Sequence, residues 1–305
     1  MRYTERPLSF ACHEDTLAGI LAAPDEPATT GVIVLVGGPQ YRVGSHRQFV
    51  LLSRALAAAG YPVLRFDYRG MGDSTGDARD FTQLSDDVRG AIDAIQEQLP
   101  SVTRVALWGL CDGASAALLY CHDTQDPRVE GLCLLNPWVR SESSLARAHV
   151  KHYYMRRLMQ KEFWAKLLRG GVTTAAFIGL WRNLRTMAGR PGTSALAEQL
   201  PFQRRMAVAW GKFGGKVLLV LSGEDYTAKE FLEYARMDAA WAGLLERGYV
   251  TRHDLPGADH TFSSTKARLI AEVLTLEWLK INTAKGRPNI DARGRHGVPE
   301  QMPDA

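Results

Sequence analysis

Residues 105–118 read VALWGLCDGASAAL, and this stretch decides the fold that the sequence predicts. Residues 105–108 are a short apolar run typical of a buried strand, and the alanine-rich residues after 113 favour a helix. Between them stands the pentapeptide Gly109-Leu110-Cys111-Asp112-Gly113, which has the pattern G-x-C-x-G. A strand that passes through such a turn directly into a helix can present a nucleophilic side chain above a sheet.

Strand and helix patterns alternate on both sides of this turn. An N-terminal hairpin is predicted from the apolar runs at 8–12 and 17–22, which a short polar turn separates. Continuous apolar strands that alternate with helices predict an α/β protein with a doubly wound, mostly parallel sheet. The further predicted strands are 32–36, 63–66, 129–135, 217–222 and 249–255, and the predicted helices are 47–59, 81–98, 228–245 and 264–281.

The alternation breaks between residues 140 and 216. This range has long helical patterns without a strand signal, and it predicts a helical cap inserted between two parts of a core, 1–139 and 217–282. Residues 283–305 are rich in Gly and Pro and contain few large apolar side chains. Because such a segment cannot bury enough apolar surface to order itself, we expect a disordered tail.

Cys111 is the candidate nucleophile of the turn. The two flanking glycines leave room for a tight strand-to-helix turn, and the helix end beyond it carries partial positive charge that favours a thiolate. The alternative is a small buried hydrophobe in a glycine-rich turn, but the strand–turn–helix context favours the nucleophile. The other cysteines, which are Cys12, Cys121 and Cys133, lie in strand or helix patterns, where core packing is the better interpretation.

The partners of Cys111 are expected in the chain order nucleophile, acid, histidine. Strand 217–222 is followed by Glu224 and Asp225, and strand 249–255 by Asp259 and His260. We expect His260 to activate Cys111 and Asp225 to hold the tautomer of the imidazole, with Glu224 as an alternative acid. Asp259 fits a loop or cap residue.

An oxyanion hole is expected from backbone N–H groups near the turn. Asp112 supplies one, and the loop after the third strand, with sequence GGPQ at 37–40, supplies another. Since Pro39 has no N–H group, Gly38 is the preferred donor and Gln40 the second choice. The loop DYRGMGDS at 67–74 is interpreted as scaffold that shapes the same edge of the sheet.

The composition is that of an ordinary globular protein and indicates no special class. It is 46% hydrophobic and 23% charged, as in an ordinary globular protein, and its cysteines form no C-x-x-C pair or zinc-ligand spacing. No motif requires a metal or an organic cofactor. Without an N-terminal apolar leader or an apolar run of about 18 residues, a cytoplasmic protein is expected, with peripheral contact to the inner membrane left open.

Taken together, these motifs resemble the α/β-hydrolase superfamily over about residues 8–281. More narrowly, VGGPQYRVGSHRQF, RFDYRGMGDS, WGLCDGAS and SGEDYTAKEF resemble the type 1 hydrolases associated with exosortase A systems. The resemblance implies an eight-stranded α/β-hydrolase fold, a triad carried onto Cys111, Asp225 and His260, and a bacterial protein linked to exopolysaccharide and protein sorting. Two features depart from the pattern: cysteine replaces the commoner serine, and the acid lies two residues after Gly223 instead of three.

Residues 140–216 contain 15 Lys and Arg against 3 Asp and Glu, although the whole chain has a net charge of only +4. Such a positive field could be a solvated helix face, or it could dock an acidic carrier protein, a CoA nucleotide or an anionic membrane. Nothing in the sequence indicates nucleic-acid binding. The leading functional hypothesis is ester or thioester hydrolysis through an acyl-cysteine; the alternatives are acyl transfer to another acceptor and a non-catalytic scaffold in a membrane-associated assembly.

Overall fold

The computed structural model describes residues 1–38, 40–140 and 200–283. The chain divides into two compact units, one made of Met1–Val139 with Pro201–Ala305 and the other of Arg140–Leu200. Most of the predicted cap falls outside the described residues, and so does nearly all of the predicted tail. The larger unit contains every strand and helix of the described residues.

An eight-stranded sheet forms the centre of this unit. Its order is β1-β2-β4-β3-β5-β6-β7-β8; β1 and β2 form the antiparallel hairpin, β2 pairs antiparallel with β4, and the remaining neighbours are parallel. The predicted α/β-hydrolase fold is therefore confirmed. The strands are β1 (Tyr3–Cys12), β2 (Asp15–Pro24), β3 (Thr30–Leu35), β4 (Val63–Phe66), β5 (Arg104–Leu110), β6 (Val129–Leu135), β7 (Lys216–Ser222) and β8 (Val250–Leu255).

Burial explains why the central strands read as continuous apolar runs. Every residue of β3 and β4 is buried, and so is every residue of β5 and β7 after the first, because helices cover both faces of a parallel sheet. In β1, exposed and partly buried positions alternate over most of the strand, as expected at a sheet edge. The described helices are α1 (Gln48–Ala58), α2 (Ser85–Gln98), α3 (Asp112–Thr124), α4 (Phe202–Lys212), α5 (Tyr226–Met237) and α6 (Thr265–Asn282).

Two helices are shorter than predicted, and each adjoins a 3₁₀ turn whose first N–H groups are capped by an aspartate. The predicted helix 81–98 is divided into a 3₁₀ turn, whose N-terminus is capped by Asp80, and the longer α2. The predicted helix 228–245 ends at Met237, where the Asp238 side chain accepts from the Ala240 N–H and starts a new 3₁₀ turn. The Asp238 side chain, by bonding a nearby backbone N–H group, competes with continuation of the helix beyond Met237.

The larger unit also includes α4, which lies inside the range predicted for the cap. Trp210 of α4 is fully buried, and its ring packs edge-on against Trp241 and at a tilt against Phe231. Its indole N–H donates to the Leu244 carbonyl at 3.1 Å. These contacts place the end of the predicted insertion within the core unit.

The parallel strands bring the candidate residues to one edge of the sheet. In register, Leu35 pairs with Gly109, Leu110 with Leu135, and Ser222 with Leu255. The segments that come after β3, β5, β6, β7 and β8 therefore all emerge at the carboxyl edge, where ligands bind in open α/β sheets. Within the described residues, no helix is both long and apolar enough to cross a membrane.

A buried ion pair ties the loop after β4 to α2. The backbone N–H and Nε–H groups of Arg69 donate to Asp87 at 2.8 and 2.6 Å, and the Asp87 side chain is fully buried. The neighbouring Asp86 is half exposed. The loop 67–74, which the sequence predicted to be scaffold, is thus held by an ion pair with the buried Asp87 side chain.

We expect Asp87→Ala to lower the free energy of unfolding by about 3–5 kcal/mol, because it leaves the buried Arg69 guanidinium without its main partner. Urea unfolding followed by circular dichroism measures the change. Asp86→Ala is the matched control, and it should cost no more than about 1 kcal/mol because its carboxylate is solvated. Equal losses in the two variants would contradict this account of the loop.

Candidate active site

Cys111 stands at the turn between β5 and α3 in a strained backbone conformation, with φ 61° and ψ −127°. The neighbouring glycines make the turn feasible. A Cβ on Gly109 would meet the backbone of Gly113, and a Cβ on Gly113 would meet the Leu35 carbonyl group. This close approach of three backbone segments is the physical reason for the G-x-C-x-G pattern.

The turn is fastened to the end of β6. The Cys111 N–H donates to the Leu135 carbonyl at 2.9 Å, and the Trp138 N–H donates to the Cys111 carbonyl at 3.3 Å. The Ser115 hydroxyl donates to the Trp138 carbonyl at 2.7 Å. The Cys111 side chain is half-buried, whereas Cys12 and Cys133 are buried as core residues.

His260 and Asp225 are hydrogen-bonded to each other, with 2.8 Å between Nδ1 and Oδ2. Asp225 is buried and caps α5, since its carboxylate accepts from the N–H groups of Thr227 at 3.0 Å and Ala228 at 3.3 Å. Three hydrogen-bonding groups therefore meet at one buried carboxylate: two helix N–H groups and the imidazole. The helix end holds the carboxylate in place and adds favourable positive potential.

Glu224 takes no part in this arrangement. Its side chain is exposed, and its N–H donates to the Ala258 carbonyl at 3.0 Å. Asp259 is likewise engaged elsewhere, because its carboxylate accepts from the Ser263 N–H at 2.8 Å. Of the two acids that the sequence left open, the structure brings Asp225 to His260.

Cys111 also affects the imidazole of His260. The pKa of His260 is raised to about 10, first by its hydrogen bond to Asp225 and then by its hydrogen bond to Cys111, while burial acts in the opposite direction. The pKa of Asp225 is lowered despite burial, because His260 and the N–H groups of Thr227 and Ala228 stabilise the carboxylate. Asp225, by a hydrogen bond, and Cys111, by its effect on the pKa, thus both act on the imidazole of His260 at the carboxyl edge of the sheet.

Asn136 is a supporting residue that the sequence reasoning missed. It comes directly after β6 with φ 46°, and its side-chain amide donates to the Ser222 hydroxyl at 2.9 Å and to the His260 carbonyl at 3.2 Å. Its side-chain oxygen accepts from the Ser222 N–H at 2.8 Å. Asn136 therefore joins the end of β7 to the loop that carries His260. A polar residue placed directly after the buried strand was the available signal.

The N–H groups of Gly38 and Gln40, the two donors predicted from the GGPQ loop, have different hydrogen-bond partners. The Gly38 N–H faces the turn, but it donates to Oδ1 of Asp112 at 2.5 Å. The Gln40 N–H donates to the Gly38 carbonyl at 2.8 Å, so a local turn uses it. Pro39 lies outside the described residues. Both N–H groups are thus bonded within the protein, and Gly38 is the one whose bond reaches the residue after Cys111.

Asp67 fixes the loop that carries Gly38. Its buried carboxylate accepts from the backbone N–H of Arg42 at 2.7 Å and of Asp73 at 3.0 Å, and it also pairs with the Arg42 guanidinium. The same guanidinium reaches Asp73 at 2.5 Å. The loop 67–74, interpreted as scaffold from the sequence, thus holds the candidate oxyanion loop in place.

The model of the Hydrolase_4 family, described as serine aminopeptidase, S33, matches residues 27–226. The chain belongs to this family. It is therefore an α/β-hydrolase enzyme, as the sequence predicted. No curated protein is similar enough in sequence to count as a match for this hydrolase.

Solved structures share the fold of this hydrolase at low sequence identity. The esterase Pf2001 of Pyrococcus furiosus has a TM-score of 0.60 at 15% identity over 92% of this chain and 93% of that chain. Dienelactone hydrolase from Anabaena variabilis has a TM-score of 0.58 at 15% identity, with coverage of 92% and 99%. The α/β-hydrolase GrgF from Penicillium has a TM-score of 0.57 at 18% identity, with coverage of 90% and 98%.

We expect Asp225→Ala to return the pKa of His260 from about 10 toward the ordinary value of about 6.5, because the carboxylate that stabilises the imidazolium is gone. Glu224→Ala, the matched control one residue away, should leave the titration unchanged. The measurement is an NMR titration of the histidine ring protons, with the His260 signal identified by its loss in His260→Ala. A shift in the control variant that matches the shift in Asp225→Ala would contradict the assignment of the acid.

The same raised pKa predicts how stability depends on pH. A histidine whose pKa is about 10 when folded and about 6.5 when unfolded contributes stability that is complete below pH 6.5 and is lost as pH rises through 10. We expect the difference in unfolding free energy between wild type and His260→Ala to shrink over this window. Urea titrations at several pH values measure it, and a difference that grows toward pH 10 would contradict the prediction.

Proposed function

We propose that this hydrolase cleaves esters or thioesters through an acyl intermediate on Cys111. The observation that carries the proposal is the hydrogen bond of His260 to the buried Asp225, with Cys111 on the strained turn and acting on the pKa of the same imidazole. In this arrangement Cys111 is the nucleophile, His260 moves the proton, and Asp225 orients and stabilises the imidazolium.

Acylation begins with the Cys111 thiolate beside the His260 imidazolium. Sγ attacks the acyl carbon and forms the C–S bond, and the carbonyl oxygen becomes an oxyanion. The N–H groups of Gly38 and Asp112 are the proposed donors to that oxyanion. The bond from carbon to the leaving oxygen or sulfur then breaks, and the leaving group takes the proton from His260.

Deacylation uses the same groups, but His260 now accepts a proton where it donated one during acylation. A water molecule attacks the acyl carbon while the now neutral His260 accepts its proton, and the oxyanion again faces the N–H groups of Gly38 and Asp112. The C–S bond breaks, the carboxylic acid leaves, and the thiolate–imidazolium pair is restored. If another hydroxyl, amine or thiol replaces water, the same step is acyl transfer.

Three further considerations concern the substrate and the partners of the proposed reaction. The neighbour from Pyrococcus furiosus is titled an esterase, and the family is one of hydrolases. The motifs of the sequence resemble the hydrolases associated with exosortase A systems, from which we propose a link to exopolysaccharide and protein sorting. The proposed docking of an acidic carrier protein or an anionic membrane concerns the basic range 140–216, most of which lies outside the described residues.

We expect Cys111→Ala to abolish acyl-adduct formation and to lower turnover at least about a thousandfold, because the nucleophile is removed. The measurement is intact-protein mass spectrometry after incubation with p-nitrophenyl esters and acyl-CoA thioesters. Cys121→Ala, which removes a half-buried cysteine on α3, is the matched control and should retain the adduct.

The lifetime of the acyl adduct distinguishes hydrolysis from acyl transfer. Hydrolysis predicts an adduct that decays in water alone, and transfer predicts one that persists until an acceptor is added. Turnover and an adduct that both survive in Cys111→Ala would exclude Cys111 as the nucleophile.

A further inference from the structure

The carboxylate of Asp112 lies at the N–H groups that the proposed function assigns to the oxyanion. Gly38 N–H donates to Asp112 Oδ1 at 2.5 Å. The N–H groups of Gly113 and of Asp112 itself act on the same carboxylate, and together with Gly38 they oppose the rise in its pKa that burial causes. Under the proposed function, the carboxylate therefore holds the N–H groups that a substrate carbonyl oxygen would need.

The sequence makes room for this side chain on the loop opposite. A Cβ at Gly37 would lie 2.1 Å from the Leu110 carbonyl oxygen and 2.8 Å from Asp112 Oδ1, both closer than real side chains tolerate, and 3.2 Å from Cys111 Cβ. Gly38, which donates the hydrogen bond, has φ +66°, in the region that favours glycine. Both glycines let the loop approach Asp112 closely enough for the contact.

We propose that Asp112 is a specificity-determining residue whose carboxylate competes with the substrate carbonyl for the Gly38 N–H. It selects acyl groups that carry a hydrogen-bond donor, such as a hydroxyl, on the carbon next to the carbonyl. This inference rests on the proposed function, since it takes Cys111 as the nucleophile and the Gly38 N–H as an oxyanion donor.

The selection arises from the hydrogen bond that the displaced carboxylate loses. Asp112 is half-buried, and a half-buried carboxylate that gives up a hydrogen bond loses free energy unless a new donor replaces it. The side chain has only two rotatable bonds, so after displacement it remains beside the reacting carbonyl. A plain acyl chain offers C–H groups there, whereas a neighbouring hydroxyl restores the lost hydrogen bond.

A matched pair of substrates tests the selection: the propionyl and lactoyl thioesters of N-acetylcysteamine, which differ by one hydroxyl. The rate of Cys111 acylation is followed by rapid quench and mass spectrometry in wild type, Asp112→Ala, Asp112→Asn and Glu97→Ala. We expect Asp112→Ala to raise the propionyl rate about tenfold, on the scale of one charge-assisted hydrogen bond, and to raise the lactoyl rate less.

The ratio of lactoyl to propionyl rates is the decisive quantity. Any general effect of the lost charge on the Cys111 thiol changes both rates equally and cancels in the ratio. We expect the ratio to fall several-fold in Asp112→Ala and by a smaller factor in Asp112→Asn, whose neutral amide oxygen is a weaker competitor. Glu97→Ala removes an exposed carboxylate on α2 and should leave the ratio unchanged.

A ratio unchanged from wild type, or equal losses of both rates, would overturn the inference, because Asp112 would then serve only to fasten the Gly38 loop. If Asp112→Ala fails to fold, as judged by circular dichroism, Asp112→Asn decides the question by the same ratio. Absence of any acyl adduct in wild type with both thioesters would instead overturn the proposed function, and this inference with it.

Discussion

The backbone of Cys111 is the constraint on which the rest of this site depends. A non-glycine residue at φ 61° and ψ −127° costs about 1–3 kcal/mol and persists only when its surroundings hold it. Here β5, α3 and the end of β6 supply that support, through the Leu135 carbonyl and the close contacts at Gly109 and Gly113. The strained turn places the side chain of Cys111 at the N-terminus of α3, which is the positive end of that helix.

Cys111 is fixed by the turn, and the groups around it come from loops that other elements hold. Asp225 is held by the N-terminus of α5, and the loop of His260 is held by Asn136 after β6. Gly38 is held by a loop that Asp67 ties to the end of β4. Each positioning contact is a hydrogen bond to a buried side chain, and together they keep a half-buried polar site in one geometry.

The sequence predicted those features that depend on local pattern: the alternation of strands, the turn at Cys111 and the chain order of acid and histidine. It could not choose securely between Glu224 and Asp225, since the choice depends on which side chain caps α5. It also missed the contact between Gly38 and Asp112, which are 74 residues apart in the chain. Tertiary packing determines which of two adjacent carboxylates reaches the histidine and which distant residues come into contact. The periodicity of the sequence carries no information on either. The cap and tail predictions stay predictions.

The electrostatics of the site bear on why a cysteine can stand where the family description names a serine. The pKa of His260 is raised to about 10, first by its hydrogen bond to Asp225 and then by Cys111. A thiol is in general a far stronger acid than a serine hydroxyl, so a cysteine nucleophile depends less on a general base than a serine does. Under the proposed function, the cysteine at residue 111 is therefore the less demanding nucleophile, and its effect on the imidazole is part of what raises the pKa of His260.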